Sequence, residues 1–147
     1  RTYLALVHGV PAAPRGRLEL PVGRHPVDRK RMAVVPGGRP AATIYRVLED
    51  LDRYALLRLD LQTGRTHQIR VHLSAVGHPV VGDRVYGGRR DGLGLTGQAL
   101  HAARIDFRHP RHGEPMRFQT DPPDDFLAAL GAARASAGRD PAEAIRY

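Results

Sequence analysis

Alternation of apolar and polar residues predicts six β-strands along this chain. A period of two residues is typical of strands that bury one face and expose the other. In the clearest case, residues 54–61, the leucines Leu57, Leu59 and Leu61 fall on one face and Tyr54 and Arg58 on the other. The segments with this pattern are residues 3–8, 17–21, 43–49, 54–61, 100–108 and 114–120.

A short helix is predicted immediately after the strand at residues 54–61. Ile69, Leu73 and Val76 have the i, i+4, i+7 spacing of one apolar helix face. Thr66 is the expected N-cap, and Gly77 begins the stop signal. A second helix is predicted for residues 124–135, after a proline-rich start. The residues beyond it are rich in Ala, Arg and Gly, a composition typical of disordered tails.

The charge of the chain points to a polyanionic partner. Lys and Arg number 23 against 15 Asp and Glu, a net charge of +8, and Lys30 is the only lysine. Arginine bias also follows from genome composition, so the bias alone does not decide the partner. Four of these charges, Arg24, Arg29, Lys30 and Arg31, lie in a loop at residues 23–38. Such a loop is either a solvated surface or a set of phosphate contacts, and the sequence leaves both open.

Several classes of protein are excluded by composition. The chain has no cysteine, which rules out disulfides, thiolate zinc sites and a cysteine nucleophile and fits a cytoplasmic location. No apolar run reaches the roughly 20 residues that a membrane span needs, so no membrane role is expected. Histidines could suggest a metal site with Asp83, but His67 and His72 are five apart and do not share a helix face.

One long block of residues resembles a known family. Residues 64–73 read GRTHQIRVHL and are followed by GHPV at 77–80 and GDRVYG at 82–87. This resembles the signature of the RluA-type RNA pseudouridine synthases, especially their ribosomal large-subunit branch. Four further segments resemble family segments that occur in the same order: the one around Tyr3 and those at 21–32, 42–45 and 98–102. The resemblance covers about residues 3–130, and residues 131–147 are expected to form a separate tail.

The resemblance implies an α+β fold, with a mixed, largely antiparallel sheet, short helices packed on it and a basic cleft. It implies the isomerisation of uridine to pseudouridine in RNA, without metal or organic cofactor. Ribosomal RNA is the expected substrate, with transfer RNA as the alternative. The family's nucleophilic aspartate lies in an H-R-L-D stretch upstream of the segment that matches Tyr3. We therefore expect this chain to be a catalytic-domain fragment, inactive alone, with a missing N-terminal half as partner.

Two catalytic residues carry over from the resemblance. Tyr3 matches the tyrosine that stacks on the target base, and Arg70 matches the basic residue that pairs with the nucleophilic aspartate. The residues expected to bind substrate are Arg65, Thr66, His67 and Gln68 at the strand-to-helix junction, and Arg24, Arg29, Lys30 and Arg31 in the basic loop.

Two other functions remain open from the sequence. The charge and the absence of the nucleophile would also suit a non-catalytic RNA-binding module, which would bind RNA without turnover. The eight histidines would permit a metal-free ribonuclease that uses two of them as acid and base. An upstream H-R-L-D stretch in the parent reading frame would favour the synthase over both.

Overall fold

The chain forms eight strands and two helices, described for residues 1–147 by a computed structural model. Four of the predicted segments, at 3–8, 54–61, 100–108 and 114–120, match the observed strands within one residue at each end. The elements are β1 (Thr2–His8), β2 (Arg15–Glu19), β3 (Val22–Arg24), β4 (Met32–Val34), β5 (Ala42–Leu51), β6 (Tyr54–Leu61), α1 (Gln68–Ala75), β7 (Leu100–Arg108), β8 (Pro115–Gln119) and α2 (Asp124–Ser136).

Six of the strands form one sheet in the order β2-β5-β6-β1-β7-β8, and every pairing between neighbours is antiparallel. The first strand therefore lies in the middle of the sheet. Tyr3 pairs with Leu59 on β6 and with Ala102 on β7. The architecture is α+β, as predicted, and it holds Tyr3 rigidly between two neighbouring strands.

The core lies on and around the central strands β1 and β6. Leu4, Leu6, Leu57 and Leu59 have no exposed surface, and burying each stabilises the fold by about 1.5–3 kcal/mol. The alternation predicted for β6 gives way to continuous burial from Tyr54 to Leu57, because both faces of the sheet are covered there.

A two-stranded hairpin replaces the predicted loop at residues 23–38. Strands β3 and β4 pair from Val22–Val34 to Arg24–Met32. The turn between them is held by His25, whose Nδ1 accepts hydrogen bonds from the backbone N–H of Val27 and Asp28. A small cluster of buried residues, Val22, Ala41, Val71 and Tyr86, fixes the hairpin against α1.

The residues beyond the predicted helix at 124–135 are ordered, although their composition is typical of a disordered tail. Helix α2 ends at Ser136, one residue beyond its predicted end and past position 131, where a separate tail was expected to begin. Buried Arg134 donates to both carboxylate oxygens of Glu49, at 2.8 and 2.7 Å, and to the carbonyl oxygen of Pro141 at 3.2 Å. Ile145 and Tyr147 pack on the core. The order of this segment could not be predicted from its composition, because Arg134, which holds it, pairs with Glu49, 85 residues away in sequence.

Neither helix is long and apolar enough to cross a membrane.

Candidate active site

Tyr3 and Arg70, the two predicted catalytic residues, line the same pocket. Its volume is about 300 Å³. Three arginines, Arg1, Arg65 and Arg70, contribute to its wall, and no aspartate or glutamate does. The complete lining is Arg1, Tyr3, Leu61, Gly64, Arg65, His67, Gln68, Ile69, Arg70, Gln98 and Leu100. A pocket with this excess of positive charge favours an anionic group.

The tyrosine is presented by the sheet and the arginine by the helix. Tyr3 is half-buried on β1, and its hydroxyl has no hydrogen-bond partner within the chain. Leu61 ends β6 beside it, and the turn at Gln62–His67 leads directly into α1. The strand-to-helix junction therefore brings a residue from position 3 next to one from position 70.

Arg70 forms a buried, two-pronged ion pair with Asp83. Its Nε donates to Oδ2 at 2.7 Å and its Nη2 to Oδ1 at 3.0 Å, and the Asp83 side chain is 0% exposed. Burial alone would raise the pKa of Asp83, but the hydrogen bonds from Arg70 and from the backbone N–H of Tyr86 and Val85 outweigh it and lower this pKa. The hydrogen bond to Asp83 in turn raises the pKa of Arg70. Arg70 Nη1 has no partner within the chain.

Tyr86 lies between two guanidinium groups and joins the hairpin to the helix. The guanidinium carbons of Arg31 and Arg70 are 5.1 and 4.9 Å from the centre of its ring, within the range of cation–π attraction. Its hydroxyl accepts a hydrogen bond from Met32 N–H at 3.0 Å and lies 2.8 Å from His67 Nδ1. The basic hairpin is thus coupled to the pocket through one aromatic residue.

His67, and not the predicted Thr66, is the N-cap of α1. Its backbone is left-handed, with φ 55° and ψ 22°, and its side chain makes no capping hydrogen bond. That conformation costs a residue other than glycine about 1–2 kcal/mol. The prediction for Thr66 was wrong because residues 65–68 form a turn, closed by the hydrogen bond from Gln68 N–H to Arg65 O at 3.0 Å, and the helix begins only after His67.

Gln68 and His72 lie on the side of α1 that faces the sheet. Gln68 donates to Ala42 O and Thr43 Oγ1, and its Oε1 accepts from Thr63 and from Arg65 N–H. All four hydrogen-bonding positions of its amide are therefore filled within the chain. His72 is 0% exposed, with Nδ1 2.9 Å from Thr43 Oγ1 and Nε2 2.8 Å from Leu20 O. Burial lowers its pKa.

These contacts change the role expected for Gln68. It was predicted to bind substrate, but it is only 2% exposed and has no hydrogen-bonding group left for RNA. Its contacts hold the loop before α1 to β5. The residue belongs to the support of the pocket.

Comparison with known proteins decides the family. A family model described as RNA pseudouridylate synthase matches residues 1–75, half of the chain. The chain belongs to the RNA pseudouridylate synthase family. It is 52% identical over 130 residues to an uncharacterized RNA pseudouridine synthase of Chloroflexus aurantiacus, covering 88% of this chain and 41% of that protein. It is 47% identical over 141 residues to ribosomal large subunit pseudouridine synthase D of Nitrosomonas europaea, covering 91% and 41%.

Solved structures agree with this assignment. Human RNA pseudouridylate synthase domain containing 1 superposes with a TM-score of 0.73 at 34% identity, covering 90% of this chain and 57% of that one. Human RNA pseudouridylate synthase domain containing 4, at 24% identity and a TM-score of 0.72, covers 90% and 61% and shows the same fold. The chain spans less than half the length of the curated relatives named above.

The family match contains Tyr3 and the whole strand-to-helix junction, while Asp83 and Tyr86 lie beyond it. Neither of these two was predicted as a site residue. The only sequence signal for them was their place in the GDRVYG block. Nothing in that block shows that Asp83 pairs with Arg70, because the partners are 13 residues apart in sequence and meet only when the turn after α1 folds back.

Of the predicted substrate-binding residues other than His67 and Gln68, only Arg65 lines the pocket. Arg65 lines it and donates from Nε to Pro40 O at 2.9 Å. Thr66 is exposed and does not line it. Arg24, Arg29 and Lys30 are exposed on the β3–β4 hairpin, whereas Arg31 is half-buried against Tyr86.

The histidines are dispersed and do not converge. No group of three or more His, Asp or Glu side chains is placed to hold a metal ion. His72, His78 and His101 each have a backbone carbonyl oxygen as partner, those of Leu20, His8 and Thr120 respectively. These three histidines serve the fold.

Proposed function

We propose that the protein of which this chain is part isomerises uridine to pseudouridine in RNA, with large-subunit ribosomal RNA as substrate. One observation carries the proposal: Tyr3 and Arg70 share one arginine-rich pocket. The substrate assignment rests on the relatives named ribosomal large subunit pseudouridine synthase D. Transfer RNA is the alternative substrate, and the absence of cysteine suits a reaction in the cytoplasm.

The pocket offers the groups that the isomerisation needs apart from the nucleophile. The N1–C1′ bond of uridine breaks and a C5–C1′ bond forms, so N1 gains a proton and C5 loses its hydrogen. The ring of Tyr3 provides a surface on which a flipped uracil stacks, and its unpaired hydroxyl is available for proton transfer. The arginines attract the phosphates beside the target nucleotide.

The attacking carboxylate, in this proposal, is an aspartate outside residues 1–147. Asp83 is unsuited to attack because its side chain has no exposed surface and its oxygens already accept four hydrogen bonds. Asp60 pairs with Thr2 and Arg58, and its side chain projects from the sheet face opposite to Tyr3. Arg70 Nη1 remains free to hold the incoming carboxylate in its ionised form.

The β3–β4 hairpin is proposed to hold the RNA backbone beside the pocket. Arg24, Arg29 and Lys30 are exposed there, and Arg24 Nη1 also braces the turn by donating to Arg29 O at 3.1 Å. Contacts of this type fix the orientation of the RNA without reading its sequence. The choice of uridine would then depend on other parts of the protein.

The test is tritium release from ribosomal RNA transcripts labelled at uridine C5. We expect the complete natural protein to release tritium and its Tyr3→Ala and Arg70→Met variants to lose that activity, while the 147-residue chain alone releases none. Binding of RNA by the complete protein without any release would contradict the synthase proposal. That outcome would leave a non-catalytic RNA-binding module, which the carboxylate-free pocket also suits.

A further inference from the structure

His67 has one hydrogen-bonding nitrogen occupied and the other open. Nδ1 lies 2.8 Å from the hydroxyl of Tyr86, and Nε2 has no partner within the chain. The side chain is exposed and lines the pocket. Which nitrogen carries the proton therefore determines whether His67 presents a donor or an acceptor to the RNA.

The contacts of Tyr86 decide that question. Its oxygen already accepts from Met32 N–H at 3.0 Å, and its single proton needs an acceptor because Tyr86 is only 9% exposed. His67 Nδ1 is the acceptor within reach. If Nδ1 carried the proton instead, both donors would point at one oxygen and the tyrosine proton would have no partner.

The surroundings of His67 also favour a neutral ring. Burial and the nearby charge of Arg70 lower the pKa of His67, and Asp83 opposes this only in part. A neutral imidazole with Nδ1 as acceptor carries its proton on Nε2.

We propose that Tyr86 is a positioning residue, which fixes His67 as an Nε2–H donor to an acceptor oxygen of the nucleotide bound in the pocket. This inference rests on the proposed function for the identity of the ligand, although the tautomer itself does not depend on RNA. Tyr86 acts through His67 and does not touch the RNA. The arrangement would select a ligand that offers an oxygen acceptor at this wall.

The first experiment measures the tautomer directly, in the complete natural protein labelled with ¹⁵N at histidine. His67→Asn assigns the signals of His67. We expect Nδ1 of the wild type to have the shift of an unprotonated nitrogen and Nε2 that of a protonated one. In Tyr86→Phe the two should move toward each other as both tautomers become populated. Ser74→Ala, which removes only the 2.8 Å bond from Ser74 to Tyr86 O, should leave them unchanged.

A protonated Nδ1 in the wild type, or an unchanged His67 spectrum in Tyr86→Phe, would overturn the assignment. Neither readout needs RNA or activity. If the protein proves to have no synthase activity, the tautomer result still stands or fails by itself.

The second experiment measures coupling during the reaction. In the background with native His67, we expect Tyr86→Phe to lower kcat/KM by about tenfold, because one hydrogen bond contributes about that much. In the His67→Asn background the same change should have little effect, because the residue through which Tyr86 acts is gone. An equal loss in both backgrounds would show that Tyr86 has only a structural role and would overturn the proposal.

Discussion

Both sides of helix α1 carry polar residues, but the two sides differ in how the hydrogen-bonding groups of these residues are used. On the side facing the sheet, Gln68 and His72 have every polar atom paired within the chain. On the side facing the pocket, His67 Nε2 and Arg70 Nη1 have no partner. The open groups lie where a ligand can reach them. The comparison indicates that unfilled hydrogen-bonding capacity, rather than polarity, distinguishes the residues of the GRTHQIRVH block that we propose to be functional.

The pocket side also depends on charges that the sheet side lacks. Arg70 is held by Asp83 and stacks on Tyr86, so its position is fixed in the absence of a ligand. Positioning of this kind would lower the cost of ordering the site during the proposed reaction. The residues on the sheet side, in contrast, only hold α1 and the loop before it in place.

The largest effect is expected from breaking the ion pair on the pocket side. Arg70→Met leaves the buried charge of Asp83 without its ion-pair partner, which should lower the free energy of unfolding by about 3 kcal/mol. The double variant Arg70→Met/Asp83→Asn removes that charge and should recover most of the stability. Both variants should lose at least about 100-fold in kcat. Urea unfolding and tritium release by the complete natural protein give the two readouts. Recovery of activity together with stability would show that Arg70 is structural only.

On the sheet side we expect a smaller loss of stability and no loss of activity. Gln68→Ala leaves the partners of its amide unpaired and should cost about 2 kcal/mol of unfolding free energy. At a temperature where the variant remains folded, kcat/KM per folded molecule should stay near that of the wild type. A large loss of RNA affinity in the folded variant would restore the substrate-binding role first predicted for Gln68 and would contradict the division between the two sides.

The stability of the sheet side should also depend on pH. Burial lowers the pKa of His72 in the folded protein, so below about pH 6.5 the unfolded chain binds a proton that the folded chain does not. The free energy of unfolding therefore falls as pH decreases through this range, by up to about 1.4 kcal/mol per pH unit for this group. His8 and His67 shift in the same direction. Urea unfolding at pH 7.5 and 5.5 should show a weaker dependence in His72→Gln. An unchanged dependence would assign the effect to the other two histidines.

Much of this arrangement could be predicted from the sequence because its signals are local. The alternation at 54–61 and 100–108 located β6 and β7, and the GRTHQIRVH block located the pocket residues on α1. The pairing of Arg70 with Asp83 and the role of Tyr86 could not be predicted, since both depend on how the turn after α1 folds back. The burial of Gln68 could not be predicted for the same reason, because its partners Ala42 and Thr43 lie on a strand 25 residues away or more.

The smallest effect is expected at the β3–β4 hairpin, where the question is whether Arg29 and Lys30 contact RNA together with the pocket residues. Arg29 and Lys30 are exposed, so Arg29→Ala/Lys30→Ala should leave the stability unchanged. If each contacts one phosphate, the slope of log affinity for RNA against log salt concentration should fall by about one per residue. Arg139→Ala, which removes an exposed arginine after α2, is the matched control and should leave this slope unchanged. If the double variant had the same salt dependence as the wild type, Arg29 and Lys30 would be solvated surface residues that do not contact phosphate. The functional side of the molecule would then end at Arg31 and Tyr86, where the hairpin meets the helix.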